Sequence, residues 1–372
     1  MNSLKLLFLS TEFPPGPGGI ANHAFNIAKG LNRKYCVHMM TISDYTSPKD
    51  NKLFDNNHSL YIHRFKRYRF SILTIIKRIL DILYHIKKYN YSYILLSGKF
   101  SIYLSKIISF FSAEKKTIVI LHGSELLPSN KLSKFFLSYN LNVVNAIISV
   151  SHYTQGLIPK GVNKKKNKYV IPNGVNSMVK AYRNKQSINL EGSPCLLTVG
   201  SITKRKGQIN LVMSLPEIIK KYPDTHYHCV GLPIQSRDIE SLAKELGVNN
   251  KITIHGFLED EQLHYVYKNA DILIILSDND LPNDVEGFGI VILEANTYGI
   301  SAIGSENTGI EDAIVNNKTG ILVDPNNSIE ILSAIDKILK NKNNFSKNAI
   351  DWSIKHDWKN IIKRYMEIID SV

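Results

Sequence analysis

Cysteine is scarce in this chain. Its three cysteines among 372 residues, Cys36, Cys195 and Cys229, are odd in number and widely spaced. No C-x-x-C pair occurs, which argues against a disulfide framework and a cysteine-ligated zinc site and fits a reducing compartment. Long hydrophobic runs are missing too. No stretch approaches 18 consecutive apolar residues, so none is expected to span a membrane. The opening run Leu6-Leu-Phe-Leu9 is too short for a signal-peptide core and reads as a first buried strand. The expected location is cytoplasmic, or peripheral to a membrane from that side. Low-complexity tracts and short internal repeats are also absent, which sets aside disordered and solenoid classes.

Acidic residues are short in one half only. Residues 1–190 carry 28 Lys and Arg against 7 Asp and Glu, a charge of +21. Residues 191–372 carry 18 against 25, or −7, within a whole-chain charge of +14. Such asymmetry points the first half at an anionic partner, either a membrane surface or a nucleic acid.

What is present is an alternation of short apolar runs with helix-like segments, the pattern of an α/β chain with parallel sheets. Its length favours two domains. The first, over 1–172, holds strands from Leu4–Ser10 to Tyr169–Ile171 and helices at Ile20–Leu31 and Ser71–Lys88. Pro172-Asn-Gly-Val175 and the polar stretch to Gly192 read as a linker over 173–192. The second domain, over 193–350, alternates strands from Cys195–Val199 to Gly320–Leu322 with helices. A final helical stretch, Lys347–Ile369, follows, and 351–372 is set apart as a C-terminal helix. Two doubly wound halves of this kind would leave a cleft at the carboxyl ends of their strands.

Glu286-Gly-Phe-Gly-Ile-Val-Ile-Leu-Glu294 places two carboxylates eight positions apart around a glycine-bracketed turn. Gly287 and Gly289 allow close backbone approach. Ile290 opens a short buried helix ended by Gly299, so N–H groups over 287–290 can receive a phosphate. Glu294 lies about 7 Å further along that helix. A carboxylate at each end suits a sugar nucleotide, with hydroxyls at both ends.

Thr11-Glu-Phe-Pro-Pro-Gly-Pro-Gly-Gly-Ile-Ala21 follows the first strand and precedes a helix. Gly16-x-Gly18-x-x-Ala21 formally fits a dinucleotide fingerprint, and Asp44 ends the second strand where a ribose-binding acid would sit. Two prolines and five residues before Gly16 spoil the tight turn that the fingerprint needs. A loop with Gly18-Gly19 at a helix start can instead approach a sugar or phosphate.

Six motifs stand in order: Pro14-Pro-Gly-Pro-Gly-Gly19, His122-Gly-Ser-Glu125, Ser149-Val-Ser-His152, Ile171-Pro-Asn-Gly-Val175, Val199-Gly200 with Lys206-Gly207, and Glu286 to Glu294. Together they resemble the family 4 retaining glycosyltransferases over nearly the whole chain. The resemblance implies the GT-B fold, two Rossmann-like domains facing across a cleft, with the C-terminal helix crossing back to the first. It implies that Lys206 binds the donor diphosphate and that Arg205 shares the role. Ser201 stands after Gly200, where an arginine is frequent in the family. Glu286 is implied to contact the donor sugar, and Gly200, Gly287, Phe288, Gly289 and Ile290 to lie against sugar and phosphate. Glu294 is implied to bind the ribose, His122 to face the donor sugar, and Gly18 and Gly19 to close on donor phosphate and acceptor. Asn173 and Ser151 are implied to be architectural.

The chemistry implied is retaining transfer of a hexose, with mannose favoured, from a nucleoside-diphosphate sugar to a lipid-linked glycan acceptor in bacterial surface polysaccharide assembly. No cofactor and no metal are expected, since Asp278-Asn-Asp280 reads as part of a polar loop rather than a metal-binding acidic pair. No nucleic-acid reader motif is apparent, so the nucleic-acid reading ranks below the enzyme, and a nicotinamide oxidoreductase ranks third.

The surplus of cations is concentrated in His63-Arg-Phe-Lys-Arg-Tyr-Arg69 and the segment after it. There Ile72, Ile75, Ile76, Ile79, Leu80, Leu83 and Ile86 recur at helical spacing, flanked by Lys77, Arg78, Lys87 and Lys88. The expectation is that this stripe faces the domain core while the cationic flank rests on anionic phospholipid.

Overall fold

In the computed structural model, described over residues 4–42, 46–112, 114–178, 188–278 and 284–372, the apolar runs form two parallel sheets. The chain divides into two units. One comprises Met1–Asn173 and Trp358–Val372, the other Gly174–Asp357.

The first unit contains β1 (Lys5–Ser10), β2 (Cys36–Ile42), β3 (Tyr61–Phe65), β4 (Tyr93–Ser97), β5 (Lys116–Leu121), β6 (Ala146–Ser149) and β7 (Asn167–Val170). They lie in the order β3-β2-β1-β4-β5-β6-β7, all parallel. The central strands are nearly continuous apolar runs because helices cover both of their faces. The second unit contains β8 (Cys195–Val199), β9 (His226–Val230), β10 (Ile252–Gly256), β11 (Ile272–Ile275), β12 (Ser301–Ser305) and β13 (Gly320–Val323), ordered β10-β9-β8-β11-β12-β13. Strand order reverses beside β1 and β4 in one sheet and beside β8 and β11 in the other. Ligands of open α/β sheets bind at the carboxyl ends of such strands.

Both reversal points are closely packed. An added Cβ on Gly98, just past β4, would lie 1.7 Å from the Thr11 hydroxyl that follows β1. One on Gly207 would lie 1.6 Å from the Leu276 carbonyl oxygen at the end of β11. Each glycine is there because the neighbouring backbone or side chain occupies the Cβ position.

Three expectations change. The stripe on the helix Ser71–Tyr89 is divided, with Ile86 in the core and Ile79 packed against it while most of the rest faces outward. Its buried line is Thr74, Arg78, Ile82, His85 and Ile86, while Ile72, Ile75, Ile76 and Leu80 are exposed, Ile72 at 74 %. This helix is apolar on more than one side, so periodicity alone does not choose the packed stripe. The final helical stretch is two helices, Lys342–Lys355 and Trp358–Ser371. They part at His356 and Asp357, where the Val175 N–H donates to the His356 carbonyl at 2.9 Å and the Ser177 hydroxyl donates to Asp357 at 2.6 Å. The helix Pro48–Asn56 was not anticipated, although Ser47 caps it and proline stands at its first position. Asp44, Asn279 and Asp280, and residues 179–187 of the expected linker, lie outside the described residues.

The helix Trp358–Ser371 packs on the helix Gly19–Leu31 within the first unit. Tyr365 hydroxyl meets His23 Nε2 at 3.2 Å, Asp370 bonds Lys34 and the Tyr35 hydroxyl, and Ile362 fills the space over Gly30.

Candidate functional site

The expected site residues fall in both units. Gly18, Gly19 and His122 belong to the first; Gly200, Arg205, Lys206, Gly287, Phe288, Gly289, Ile290, Glu286 and Glu294 to the second.

In the second unit, β8 ends at Val199 and the chain turns at Gly200, with φ +141°. The Lys206 stem runs past it, so that a Cβ on Gly200 would lie 3.3 Å from Lys206 Cε. Residues 204–206 form a 3₁₀ turn and Gly207, left-handed at φ +67°, leads into the helix Gln208–Lys221. The Gln208 amide ties the loop down by donating to the Ser201 carbonyl at 3.1 Å. The Asp278 N–H donates to the Arg205 carbonyl at 3.0 Å, pinning the turn beside the end of β11.

This turn brings its cations to Glu286. Lys206 Nζ lies 2.7 Å from Glu286 Oε2, and the Arg205 guanidinium donates to the same oxygen. Arg205 Nε also donates to Asp284 at 3.0 Å. The other Glu286 oxygen accepts the Gly289 N–H at 3.1 Å. That N–H, expected to face a ligand, is therefore held by Glu286 in this structure. Burial pushes the Glu286 carboxyl up, but Lys206 and then Arg205 outweigh it and hold it at about 2. Burial works against the Arg205 charge as well, and Glu286 and Asp284 reverse that effect and raise its pKa.

Such a carboxylate links stability to pH. Its folded pKa lies below the ordinary 4.5, so its contribution is complete above that value and is lost as pH falls towards 2. The contribution is on the order of 3 kcal/mol. Urea unfolding followed between pH 7 and 3 should show this loss in the parent chain and a flatter profile in Glu286→Gln. Equal slopes would remove the linkage.

Glu286 leads into Gly287-Phe288-Gly289 and the helix Ile290–Thr297, which is too short and too buried to show an amphipathic stripe. The Phe288 side chain is buried at 2 %, anchoring the loop. The helix's first N–H groups, at Ile290 and Val291, have no preceding helical carbonyl to bond. Glu294 lies further along the same helix and accepts the Tyr267 hydroxyl at 3.1 Å. Burial raises the Glu294 carboxyl against that hydrogen bond.

Two supporting residues escape sequence reading. Tyr267, from the helix Asp260–Asn269, orients Glu294 and stacks on Tyr298 at 5.3 Å. A tyrosine on a helix carries no signal for that role. Gly309 donates its N–H to the Glu286 carbonyl at 3.0 Å, and a Cβ there would meet the Gly287 oxygen at 2.1 Å. Its position just after β12 was the available signal.

In the first unit, His122 follows β5, and its Nε2 meets the Ser97 hydroxyl at the end of β4, 3.0 Å away. Burial lowers its pKa to about 4, so the ring is neutral at pH 7 and serves as a hydrogen-bonding group rather than a cation. Its backbone N–H donates to Glu125. Gly18, at φ +128°, opens the helix Gly19–Leu31, and a Cβ on Gly19 would meet nothing within 4 Å. A recess of about 350 Å³ beside this loop is lined by Glu12, Phe13, Gly16, Pro17 and Thr46, among others.

Residues 17–178 match the model of the glycosyltransferase family 4 domain, and residues 180–352 the model of glycosyl transferases group 1. A GDP-mannose-dependent alpha-(1-6)-phosphatidylinositol monomannoside mannosyltransferase of Mycolicibacterium smegmatis is 28 % identical over 158 residues, 42 % of this chain and 41 % of that protein. A D-inositol 3-phosphate glycosyltransferase of Corynebacterium urealyticum is 26 % identical over 184 residues, 47 % and 42 % of the two chains. Each match thus spans less than half the length of the relative. Among solved structures, sucrose-phosphate synthase from Thermosynechococcus elongatus superposes with a TM-score of 0.79 at 19 % identity, covering 99 % of this chain and 98 % of that one. Anabaena HepE in complex with UDP and glucose superposes with a TM-score of 0.75 at 18 % identity, covering 99 % and 100 %.

Proposed function

Because the chain belongs to the family 4 glycosyltransferases of GT-B fold, we propose that it transfers a hexose, mannose favoured, from a nucleoside-diphosphate sugar to a lipid-linked oligosaccharide with retention of configuration. The setting would be bacterial surface polysaccharide assembly, such as O-antigen, capsule or exopolysaccharide. The observation that carries the reading is the convergence of Lys206 and Arg205 on Glu286 at the start of the helix bearing Glu294.

As the bond from the sugar C1 to the diphosphate oxygen breaks, negative charge grows on the leaving diphosphate. Lys206, Arg205 and the N–H groups opening the helix Ile290–Thr297 stabilise that charge. The acceptor hydroxyl oxygen bonds to C1 on the face that the diphosphate leaves, and its proton passes to a leaving phosphate oxygen. Glu286 holds a sugar hydroxyl and Glu294 the ribose. The mannose preference rests on the GDP-mannose dependence of the mycobacterial relatives and on the sequence around Asp284 to Gly289.

Thermal melting against free nucleoside diphosphates and their sugars tests the donor class. A ligand at 100 times its dissociation constant stabilises the chain by about 2.7 kcal/mol. One base is expected to raise the midpoint, and Lys206→Ala to reduce that rise. A folded sample that shifts with none of them would defeat the donor assignment.

A lipid-linked acceptor would bring the enzyme to a membrane. The helix Ser71–Tyr89 turns Ile72, Ile75, Ile76 and Leu80 outward beside exposed Phe70, with Lys77, Lys87 and Lys88 around them. Such a face suits the interface of an anionic bilayer. Among the described residues no helix is long and apolar enough to cross one. Flotation should recover the chain with anionic liposomes and lose it in high salt, whereas equal absence from anionic and neutral liposomes would reject the surface.

A further inference from the structure

Three metal-ligating side chains meet away from the donor residues. His63 comes from β3, and Asp81 and His85 lie four residues apart on one face of the helix Ser71–Tyr89. His63 Nε2 is 2.6 Å from Asp81 Oδ2, and His85 Nε2 is 3.8 Å from Asp81 Oδ1. One ligand atom from each of the three falls within 4.8 Å of the others.

His85 is the most deeply buried of the three. Its side chain is only 7 % exposed, and its Nδ1 has no hydrogen-bond partner. Its Nε2 faces the Asp81 carboxylate from beyond hydrogen-bonding range. The ring packs among Tyr61, His63, Tyr84 and Tyr89, its centroid 4.7 Å from that of His63, and these contacts hold the imidazole with Nε2 directed at the Asp81 carboxylate.

We propose that His63 Nε2, His85 Nε2 and the Asp81 carboxylate bind one divalent transition-metal cation, with Zn²⁺ the reference ion. Two imidazoles and one carboxylate form the donor set of zinc and its neighbours rather than of magnesium or calcium. Tetrahedral ligands at about 2.0–2.1 Å from zinc stand roughly 3.3 Å apart, a value bracketed by the two separations from Asp81. Small side-chain rotations complete the geometry. His63 and Asp81 also line a recess of about 420 Å³, which gives the ion an entry path and leaves a coordination position open to water. Lys66 and Lys77 line the same recess and favour a small anion as that last ligand. The nearby charge of Arg64 is already taken up by Asp55, which accepts two of its N–H groups at 2.8 and 2.9 Å. Bound metal would tie β3 to the helix Ser71–Tyr89 and fix the posture of its exposed apolar face.

The test uses the full chain, stripped with a chelator and titrated with Zn²⁺ against a chromophoric competitor. Separate titration with Co²⁺ is followed by visible absorption. One tight equivalent is expected. His63→Gln and His85→Gln should each weaken it by at least about 10-fold and remove the cobalt bands. His255→Gln, which breaks the close imidazole pair His228–His255 at 2.9 Å, should leave both signals unchanged. Zn²⁺ should raise the melting midpoint of the parent chain and not that of His63→Gln, whose less buried site makes misfolding an unneeded explanation. Absence of any Zn²⁺ signal in the parent chain, or parental affinity in both His63→Gln and His85→Gln, overturns the proposal.

Discussion

Lys206→Ala is expected to lower the rate of sugar transfer by about 10²- to 10³-fold, the effect of losing one preorganised group that stabilises developing charge. Its stem packs over Gly200 and its ammonium reaches Glu286, so the position of the charge is set before any ligand arrives. The companion variant separates binding from chemistry. Glu286 neutralises both Lys206 and Arg205 in this structure, and a diphosphate must compete with it for those cations. Glu286→Gln should therefore bind free nucleoside diphosphate more tightly than the parent chain while transferring sugar much more slowly. Lys206→Ala should bind the diphosphate more weakly. Steady-state kinetics with calorimetric titration distinguishes the pair. Parental kcat in Lys206→Ala would detach the cation cluster from the leaving group.

Gly207→Ala should have the largest effect on stability. At φ +67° any L side chain is strained, by roughly 1–2 kcal/mol. The added Cβ would also fall 1.6 Å from the Leu276 oxygen, which is backbone and cannot rotate away. Together these should exceed about 4 kcal/mol, the range reserved for a specific structural conflict. Gly247 supplies the control. Its φ of +68° is nearly the same, yet a Cβ there would meet nothing within 4 Å. Gly247→Ala should cost only the backbone strain. If chemical unfolding gives the two variants equal losses, then packing at the β8–β11 reversal point is not what demands glycine.

Most of the strand pattern was legible because parallel strands covered on both faces must be short apolar runs, and β8, β9 and β3 stand where the sequence places them. Lys206, Arg205, Glu286 and Glu294 were picked out by their place in motifs that resemble a family, and the structure brings the first three together. Glycines at 200, 207, 287 and 289 mark close backbone approach, whereas the charged run Lys204-Arg-Lys206 by itself reads as a solvated face and gains its meaning only from the order of the motifs. Legibility failed where the determining contact was remote in sequence. Nothing near Tyr267 announces that its hydroxyl meets Glu294, and nothing within 71–89 says which of several apolar lines finds the sheet. The break between the last two helices has neither proline nor glycine. It is set by partners at Val175 and Ser177, about 180 residues earlier.

The helix Trp358–Ser371 carries a consequence for how the protein is made. It belongs to the first unit, yet it is synthesised only after the whole of the second. Until then the outer side of the helix Gly19–Leu31 lacks Ile362 over Gly30 and Tyr365 against His23. The amino-terminal sheet can pair early, but the layer over its first helix stays open throughout synthesis of the entire second unit. A nascent chain stalled within the second unit would thus present that uncovered face to chaperones and proteases, because the first unit is completed only after the second has been made.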